Sequence, residues 1–255
     1  MITGVIAAAA LAQELGLPLV ESAAAAAAAG LRYALIPGPR GLALEALGQS
    51  GQRPIYVDFV EGAARHRRLY GRNSGSLLAR AAGIKGRAGR LVLDAAAGLG
   101  RDGFVLASLG CRVLMCERSP AVWALLRDGL RRALDAPETA EIGARIELRC
   151  EDARGLIREL AQPQAARPAV IYLDPMFPAH SGSALVKKEL RACREIVGPD
   201  QDAGELLEIA LAAGVPRVVV KRMRRDEWLG GRKPDQSLAG KANRFDLYFR
   251  TRLEA

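Results

Sequence analysis

Two regimes of hydrophobic patterning divide this chain. From Leu91 onward, short runs of aliphatic and β-branched residues alternate with longer segments in which apolar residues recur at helical spacing. Such alternation predicts parallel strands joined by crossover helices. The predicted strands are Leu91 to Asp94, Arg112 to Glu117, Arg145 to Arg149, Ala169 to Leu173, Arg217 to Lys221 and Arg244 to Phe249. Helices are expected near 102–109, 119–134, 153–161, 184–196 and 203–213. The last strand follows no helix and is expected to close the sheet as an antiparallel edge. Before Leu91 the texture differs: residues 1 to about 70 are Ala-rich, broken by Pro18, Pro37, Gly38, Pro39 and Gly41, with one short strand, Ile55 to Phe59. The run Ala23 to Ala29 favours helix. Ile2 to Leu11 is apolar, but it lacks a basic flank and Gln13 and Glu14 interrupt it, so it reads as a strand and helix. The expected architecture is α/β: a twisted, mostly parallel sheet with helices on both faces over 71–255, preceded by a small α/β subdomain over 1–70.

Composition narrows the class. With 255 residues, half of them hydrophobic, the chain is globular. Its net charge of +9 attracts polyanions, phosphate-rich nucleic acid above all, although an Arg-rich solvated surface gives the same number. Cys111, Cys116, Cys150 and Cys193 show no C-x-x-C spacing, and His66 and His180 are the only histidines. Neither a disulfide framework nor a metal site is indicated, and no membrane span; a reducing cytoplasm fits this usage.

Candidate chemistry gathers at strand ends. Val170 to Leu173 stops on Asp174-Pro175, followed by Met176 and Phe177. Pro175 biases Asp174 toward an extended conformation and so restricts its carboxylate, while Phe177 offers a flat apolar face. A carboxylate beside an aromatic ring suits a nucleobase, and an ordinary strand end with a Pro turn reads the same way. Asp94 ends the first strand of the main unit and opens the loop Asp94 to Gly103, in which Gly98, Gly100 and Gly103 spell G-x-G-x-x-G ahead of a helix. An acid there sits poorly beside a pyrophosphate and well beside an ammonium or sulfonium, which favours S-adenosylmethionine over a dinucleotide. Glu117, at the tip of the next strand, is placed for ribose hydroxyls, and Asp152 for an adenine amino group. Basic residues cluster at Lys187-Lys188, at Lys221, Arg222, Arg224 and Arg225, and at Arg65 to Arg68. The first two clusters are candidates for gripping RNA phosphates; each alone also reads as a solvated face.

With these residues placed, the chain resembles the ribosomal small-subunit methyltransferase J family, a class I methyltransferase group. The resemblance runs from about Ile55 to Phe249 through Ile55 to Val60, His66-Arg67-Arg68, Gly83 to Gly86, Gly98 to Asp102, Gly110 to Val113, Tyr172 to Pro178, Ser183 to Glu189 and Val218 to Arg222. It implies N2-methylation of a guanosine near the 3′ end of 16S ribosomal RNA, free or in the small subunit, with S-adenosylmethionine as donor and S-adenosylhomocysteine as product. It also implies cofactor contacts from Arg101, Asp102, Glu117, Arg118, Asp152, Ala153 and Asp174. Two stretches depart: Asp152-Ala153, where small hydroxyl residues are expected, and Arg224 to Gly240.

The guanine amine is conjugated and weakly nucleophilic, so the expected mechanism is positional. Asp174, with the Pro175 carbonyl, accepts from the amine and Phe177 stacks on the base. This elbow resembles the Asn/Asp-Pro-Pro-Tyr/Phe signature of amino-directed methyltransferases, with Met176 in place of the second proline. The rival readings are an NAD(P)-dependent oxidoreductase, a non-catalytic RNA-binding protein, and a methyltransferase acting on another nucleic-acid amine.

Overall fold

A computed structural model describes residues 3–6, 8–48, 53–61, 76–84, 89–162, 166–175, 184–198 and 202–250, with side chains of 184–190 excepted. Seven strands form the main sheet: β5 (Leu91–Asp94), β6 (Arg112–Cys116), β7 (Ile146–Arg149), β8 (Val170–Leu173), β9 (Arg217–Met223), β10 (Gln236–Ala239) and β11 (Asn243–Phe249). Their spatial order is β10-β11-β9-β8-β5-β6-β7, and β11 alone runs against the rest. The central strand β8 is apolar along its whole length because both its faces are covered; Val170, Ile171, Tyr172 and Leu173 are all at most 1 % exposed. The crossover helices are α4 (Arg101–Ser108), α5 (Pro120–Asp135), α7 (Ala153–Leu160), α8 (Ala184–Val197) and α9 (Ala203–Ala212), with a short α6 (Ala140–Gly143) after α5.

The six expected strands and five expected helices of this unit are present, each to within two residues. One placement differs: β11 is antiparallel but not an edge, because the hairpin partner β10 covers it. The sequence Gln236–Ala239 has almost no apolar alternation, and a strand on the rim of a sheet needs none.

The N-terminal sheet has the order β2-β1-β3-β4, built from β1 (Thr3–Ile6), β2 (Leu19–Val20), β3 (Tyr33–Gly38) and β4 (Gly41–Ala46), with helices α1 (Ala9–Leu15) and α2 (Ala23–Ala28). A further helix, α3 (Leu77–Ala82), precedes β5. The strand expected over Ile55 to Phe59 is not formed; only Ile55 pairs, in a bridge to Leu44. Its alternation is real, but beyond the Ile55 bridge the buried side chains Val57 and Phe59 meet helices and not a strand partner. Arg132 of α5 donates to the Val57 carbonyl, and Phe59 stacks on Phe104 of α4 with ring centroids 4.2 Å apart. Among the described residues, no helix is long and apolar enough to cross a membrane.

Helix α5 carries Gly129 where this extended segment crosses. A Cβ there would lie 2.5 Å from Val57 Cγ1 and 2.7 Å from the Val57 carbonyl oxygen. Alanine in a helix interior ordinarily stabilises by about 1 kcal/mol relative to glycine. Here the sign reverses: Gly129→Ala is expected to destabilise by about 1–3 kcal/mol through overpacking, read as a lowered midpoint in thermal or urea unfolding.

Candidate active site

The chain leaves β5 for β6 and β7 on one side, then returns to place β8 on the other. That reversal opens a crevice at the carboxyl ends of β5 and β8, where open α/β sheets hold ligands. Asp94 closes β5 and is 2 % exposed. The loop after it turns through left-handed backbone at Gly98 (φ 53°) and Gly100 (φ 69°). The two glycines act differently. At Gly98 a side chain would meet nothing within 4 Å, so the glycine leaves open space; at Gly100, the N-cap of α4, a Cβ would lie 2.4 Å from Leu126. Gly103 admits the first turn of α4 to the strand, since a Cβ would stand 2.8 Å from Asp94 Oδ2. Glu117, just past β6, ties the two strand ends together: its Oε2 accepts from Gly98 N–H at 2.9 Å and its Oε1 from Ser119 N–H at 2.7 Å.

On the β8 side, one ammonium joins two carboxylates. Lys221 Nζ, from β9, donates to Asp102 Oδ2 and to Asp174 Oδ2, each at 2.7 Å. The buried Tyr172 hydroxyl donates to the same Asp102 oxygen at 2.7 Å. Burial pushes the Asp174 carboxyl up, the Lys221 ammonium pulls it down and Asp102 raises it again, leaving it above its ordinary value. Burial works against the Lys221 ammonium, but the Asp174 and Asp102 carboxylates overcome it and raise its pKa. Lys221 makes no hydrogen bond to Asp94, and its charge and a backbone N–H only partly offset the other influences there. Burial first, then Asp102 and Asp174, push its carboxyl up to about 8. Its Oδ1 is buried with no hydrogen-bond partner. A crevice with an acid in that state is prepared for a ligand that brings positive charge.

Asp94, Gly98, Arg101, Asp102, Glu117, Arg118, Asp152, Ala153, Asp174 and Pro175 all line one cavity of about 280 Å³. Among the cofactor-binding candidates only Gly100 stands behind the wall, turning the chain. At the mouth an ion-pair cluster spans three elements: Arg118 and Arg154 both reach Asp202 at the start of α9, at 2.7 and 3.3 Å. Asp152 caps α7 and is held by Arg154 through both oxygens (3.0 and 2.7 Å), which holds its carboxyl below the ordinary range. Its carboxylate is thus already engaged, while Ala153 presents the buried wall.

Two of the basic candidates are placed otherwise than expected. Lys221 faces the carboxylates of the cavity, and Arg222, 9 % exposed, donates to the Glu227 carbonyl under its own loop; neither lies on a phosphate-facing surface. The reason is the strand: β9 continues to Met223, so residues that looked like a loop cluster alternate between the faces of a sheet. Arg224 is exposed. Lys187 and Lys188 fall in α8, but their side chains, like Arg65 to Arg68, Met176 and Phe177, lie outside the described residues. Sequence reasoning missed Tyr172, Arg154 and Asp202 as parts of the site, and missed Lys221 as its cation. The available signal for Lys221 was its place at the carboxyl end of a strand neighbouring β8.

The SAM-dependent methyltransferase family model matches residues 18–250. The chain is 50 % identical over 237 residues to ribosomal RNA small subunit methyltransferase J of Pseudomonas paraeruginosa, covering 93 % of this chain and 87 % of the relative. It is 49 % identical over 223 residues to the protein of that name from Pseudomonas fluorescens, covering 88 % and 85 %. The crystal structure of a SAM-dependent methyltransferase from Neisseria gonorrhoeae superposes with a TM-score of 0.74 at 35 % identity, covering 99 % of this chain and 97 % of that one.

The raised Asp94 carboxyl carries a sign that stability measurements read. The folded chain keeps this proton between the ordinary aspartate range and about pH 8, whereas the unfolded chain loses it. The associated stability is therefore complete below the unfolded value and is lost as pH rises through the folded one, at about 1.4 kcal/mol per pH unit. Asp94→Asn cannot ionise. Relative to the wild type, its urea-unfolding free energy is expected to improve steadily from pH 5 to about 8 and level off beyond; a pH-independent difference would contradict the assignment.

Proposed function

The chain belongs to the ribosomal RNA small subunit methyltransferase J family of SAM-dependent methyltransferases, and on that premise we propose that it methylates the exocyclic N2 of a guanosine in 16S ribosomal RNA. The observation that carries this reading is the Asp174-Pro175 elbow, held by Lys221 against the same cavity that Asp94 and Glu117 line. An amine acceptor and a cation-seeking acid on opposite sides of one crevice suit a neutral nucleophile meeting a positively charged donor.

S-adenosylmethionine, when bound, supplies a methyl group on a sulfonium. The residues present fit it: the orphaned Asp94 oxygen suits its ammonium, the Glu117 carboxylate its ribose hydroxyls, and the open space at Gly98 a close approach of the ligand to backbone. For the acceptor, Lys221 occupies Asp174 Oδ2 and favours the ionised carboxylate against burial, leaving Oδ1 to receive an N–H of the guanine amine. The hydrogen bond directs the nitrogen lone pair toward the methyl carbon, and the same oxygen takes up the proton that the amine sheds. The Pro175 carbonyl is assigned the second amine proton, and Phe177 the stacking face. So deep a site requires a flipped or unpaired base. The dinucleotide reading is disfavoured, because a pyrophosphate would enter among Asp94, Asp102 and Asp174.

Methyl transfer from labelled S-adenosylmethionine to ribosomal RNA of a strain lacking the gene is expected to yield N2-methylguanosine on nucleoside mapping; any other methylated nucleoside refutes the specificity. Asp174→Ala is expected to lower kcat by about 100-fold or more with RNA affinity retained. Near-full turnover in that variant would remove Asp174 from the mechanism. Lys221→Met takes away the cation that lowers the Asp174 pKa, so the acidic limb of the kcat profile is expected to move to higher pH.

A further inference from the structure

The loop that follows β9 is held from beneath by two arginines. Arg244, 8 % exposed, donates through Nη1 to the carbonyls of Met223, Arg224 and Asp226 at 3.2, 3.1 and 2.6 Å. Arg222, 9 % exposed, donates through Nη2 to the Glu227 carbonyl at 2.7 Å. Four of the five carbonyls from Met223 to Glu227 are thus drawn inward. The fully buried Asp246 holds Arg244 in turn, with both carboxylate oxygens within 3.1 Å of its Nε. Burying two guanidinium groups is costly unless they are hydrogen-bonded, and here most of the acceptors are carbonyls of the loop itself. The loop backbone is therefore tied down from beneath, with the Asp226 carboxylate also turned in, 3.8 Å from Arg222 Nη2, and the side chains of 223–225, 227 and 228 exposed.

What it displays is two arginines, two large apolar side chains and one exposed acid, Glu227, while Asp226 turns inward to Arg222. Met223 and Trp228 are each 42 % exposed, and Arg224 and Arg225 are exposed between them. No hydrogen bond or ion pair among the described residues engages either guanidinium. Lys241 lies alongside, on the β10–β11 turn whose Ala242 carbonyl accepts from Arg224 N–H. The surface adjoins the cavity. Lys221, two residues before Met223, contacts Asp174, and Gly230 packs against Gly204 in the first turn of α9, where Ala203 and Leu206 line the cavity wall.

We propose that residues 223–228 form a preformed docking surface for single-stranded RNA flanking the target nucleotide. Trp228 and Met223 meet base faces, and Arg224 and Arg225 pair with the intervening phosphates. The proposal rests on the RNA-methyltransferase reading and adds where that RNA runs. Single strands expose base faces and duplexes do not, so an exposed aromatic ring near a pair of arginines selects for the former. A base drawn into the crevice leaves its neighbours unpaired at the rim, where this loop stands.

Trp123 and Trp228 are the only tryptophans, so Trp123→Phe leaves Trp228 as sole reporter. In the presence of S-adenosylhomocysteine, a single-stranded ribosomal RNA oligonucleotide is expected to quench this fluorescence saturably, and the matching duplex is not. Arg224→Ala/Arg225→Ala is expected to weaken oligonucleotide binding about tenfold near 0.1 M salt and to lower the slope of log Kd against log salt by about 1.4, two contacts at ~0.7 each. S-adenosylhomocysteine affinity in that variant serves as the folding control and is expected to match wild type. Unchanged oligonucleotide affinity, an unchanged salt slope, or equal quenching by duplex overturns the docking surface. Methyl transfer distinguishes the two readings: wild-type KM in the double variant sinks the surface and leaves the activity. Absent transfer with the binding pattern intact sinks the activity and leaves the surface.

Discussion

One ammonium group governs the chemistry of this crevice. Three carboxylates, Asp94, Asp102 and Asp174, converge at the carboxyl ends of β5 and β8, where burial first and then the neighbouring carboxylates raise Asp94 and Asp174. Lys221 Nζ, 2.7 Å from both Asp102 and Asp174, pairs with these two and not with Asp94. Asp102 and Asp174 share the lysine, and Asp102 also receives the Tyr172 hydroxyl. Asp94, beyond reach of that hydrogen bonding, carries the electrostatic debt as a carboxyl raised to about 8. In the proposed function, a donor that brings a sulfonium and an ammonium relieves that imbalance on entering, and the same lysine tunes the proposed amine acceptor.

The polypeptide architecture serves this arrangement through close backbone approach. Gly103 brings α4, and with it Asp102, onto the end of β5; Gly100 turns the chain against Leu126; and the Gly98 amide is held by Glu117 from the next strand. Tyr172 reaches across from the interior of β8. Side chains from α4, β8 and β9 thus meet within hydrogen-bonding distance although Asp102 and Lys221 are 119 positions apart in sequence. The segment 53–61 contributes from outside, where Phe59 stacks on Phe104 and braces α4 against the sheet.

The basic residues of the chain do two unlike things. Arg222 and Arg244 are spent on the interior of the β9 loop, while Arg224 and Arg225, adjacent in sequence, stand on its surface. Arg118 and Arg154 are paired across the cavity mouth with Asp202 and Asp152. A net charge of +9 therefore overstates what is offered to a polyanion, and the electrostatic surface depends on which guanidinium groups are already satisfied.

The main sheet was legible from residues alone, because a parallel strand covered on both faces is apolar at every position, as in Val170 to Leu173, and its crossover helices repeat at their own period. The Gly98 to Gly103 loop, Asp94, Glu117 and the Asp174-Pro175 elbow were legible for a related reason: strand-end acids and turn glycines mark the carboxyl edge of such a sheet wherever it folds. Less legible were elements whose pattern has two solutions. The alternation of Ile55, Val57 and Phe59 is satisfied by helices as well as by a strand, and β10 on the rim carries no apolar signal. Lys221, Arg222 and Arg224 form one basic run in the sequence. Only the tertiary structure sends the first into the site, the second under its loop and the third to solvent, because successive residues of a strand face opposite ways and their neighbours come from other strands.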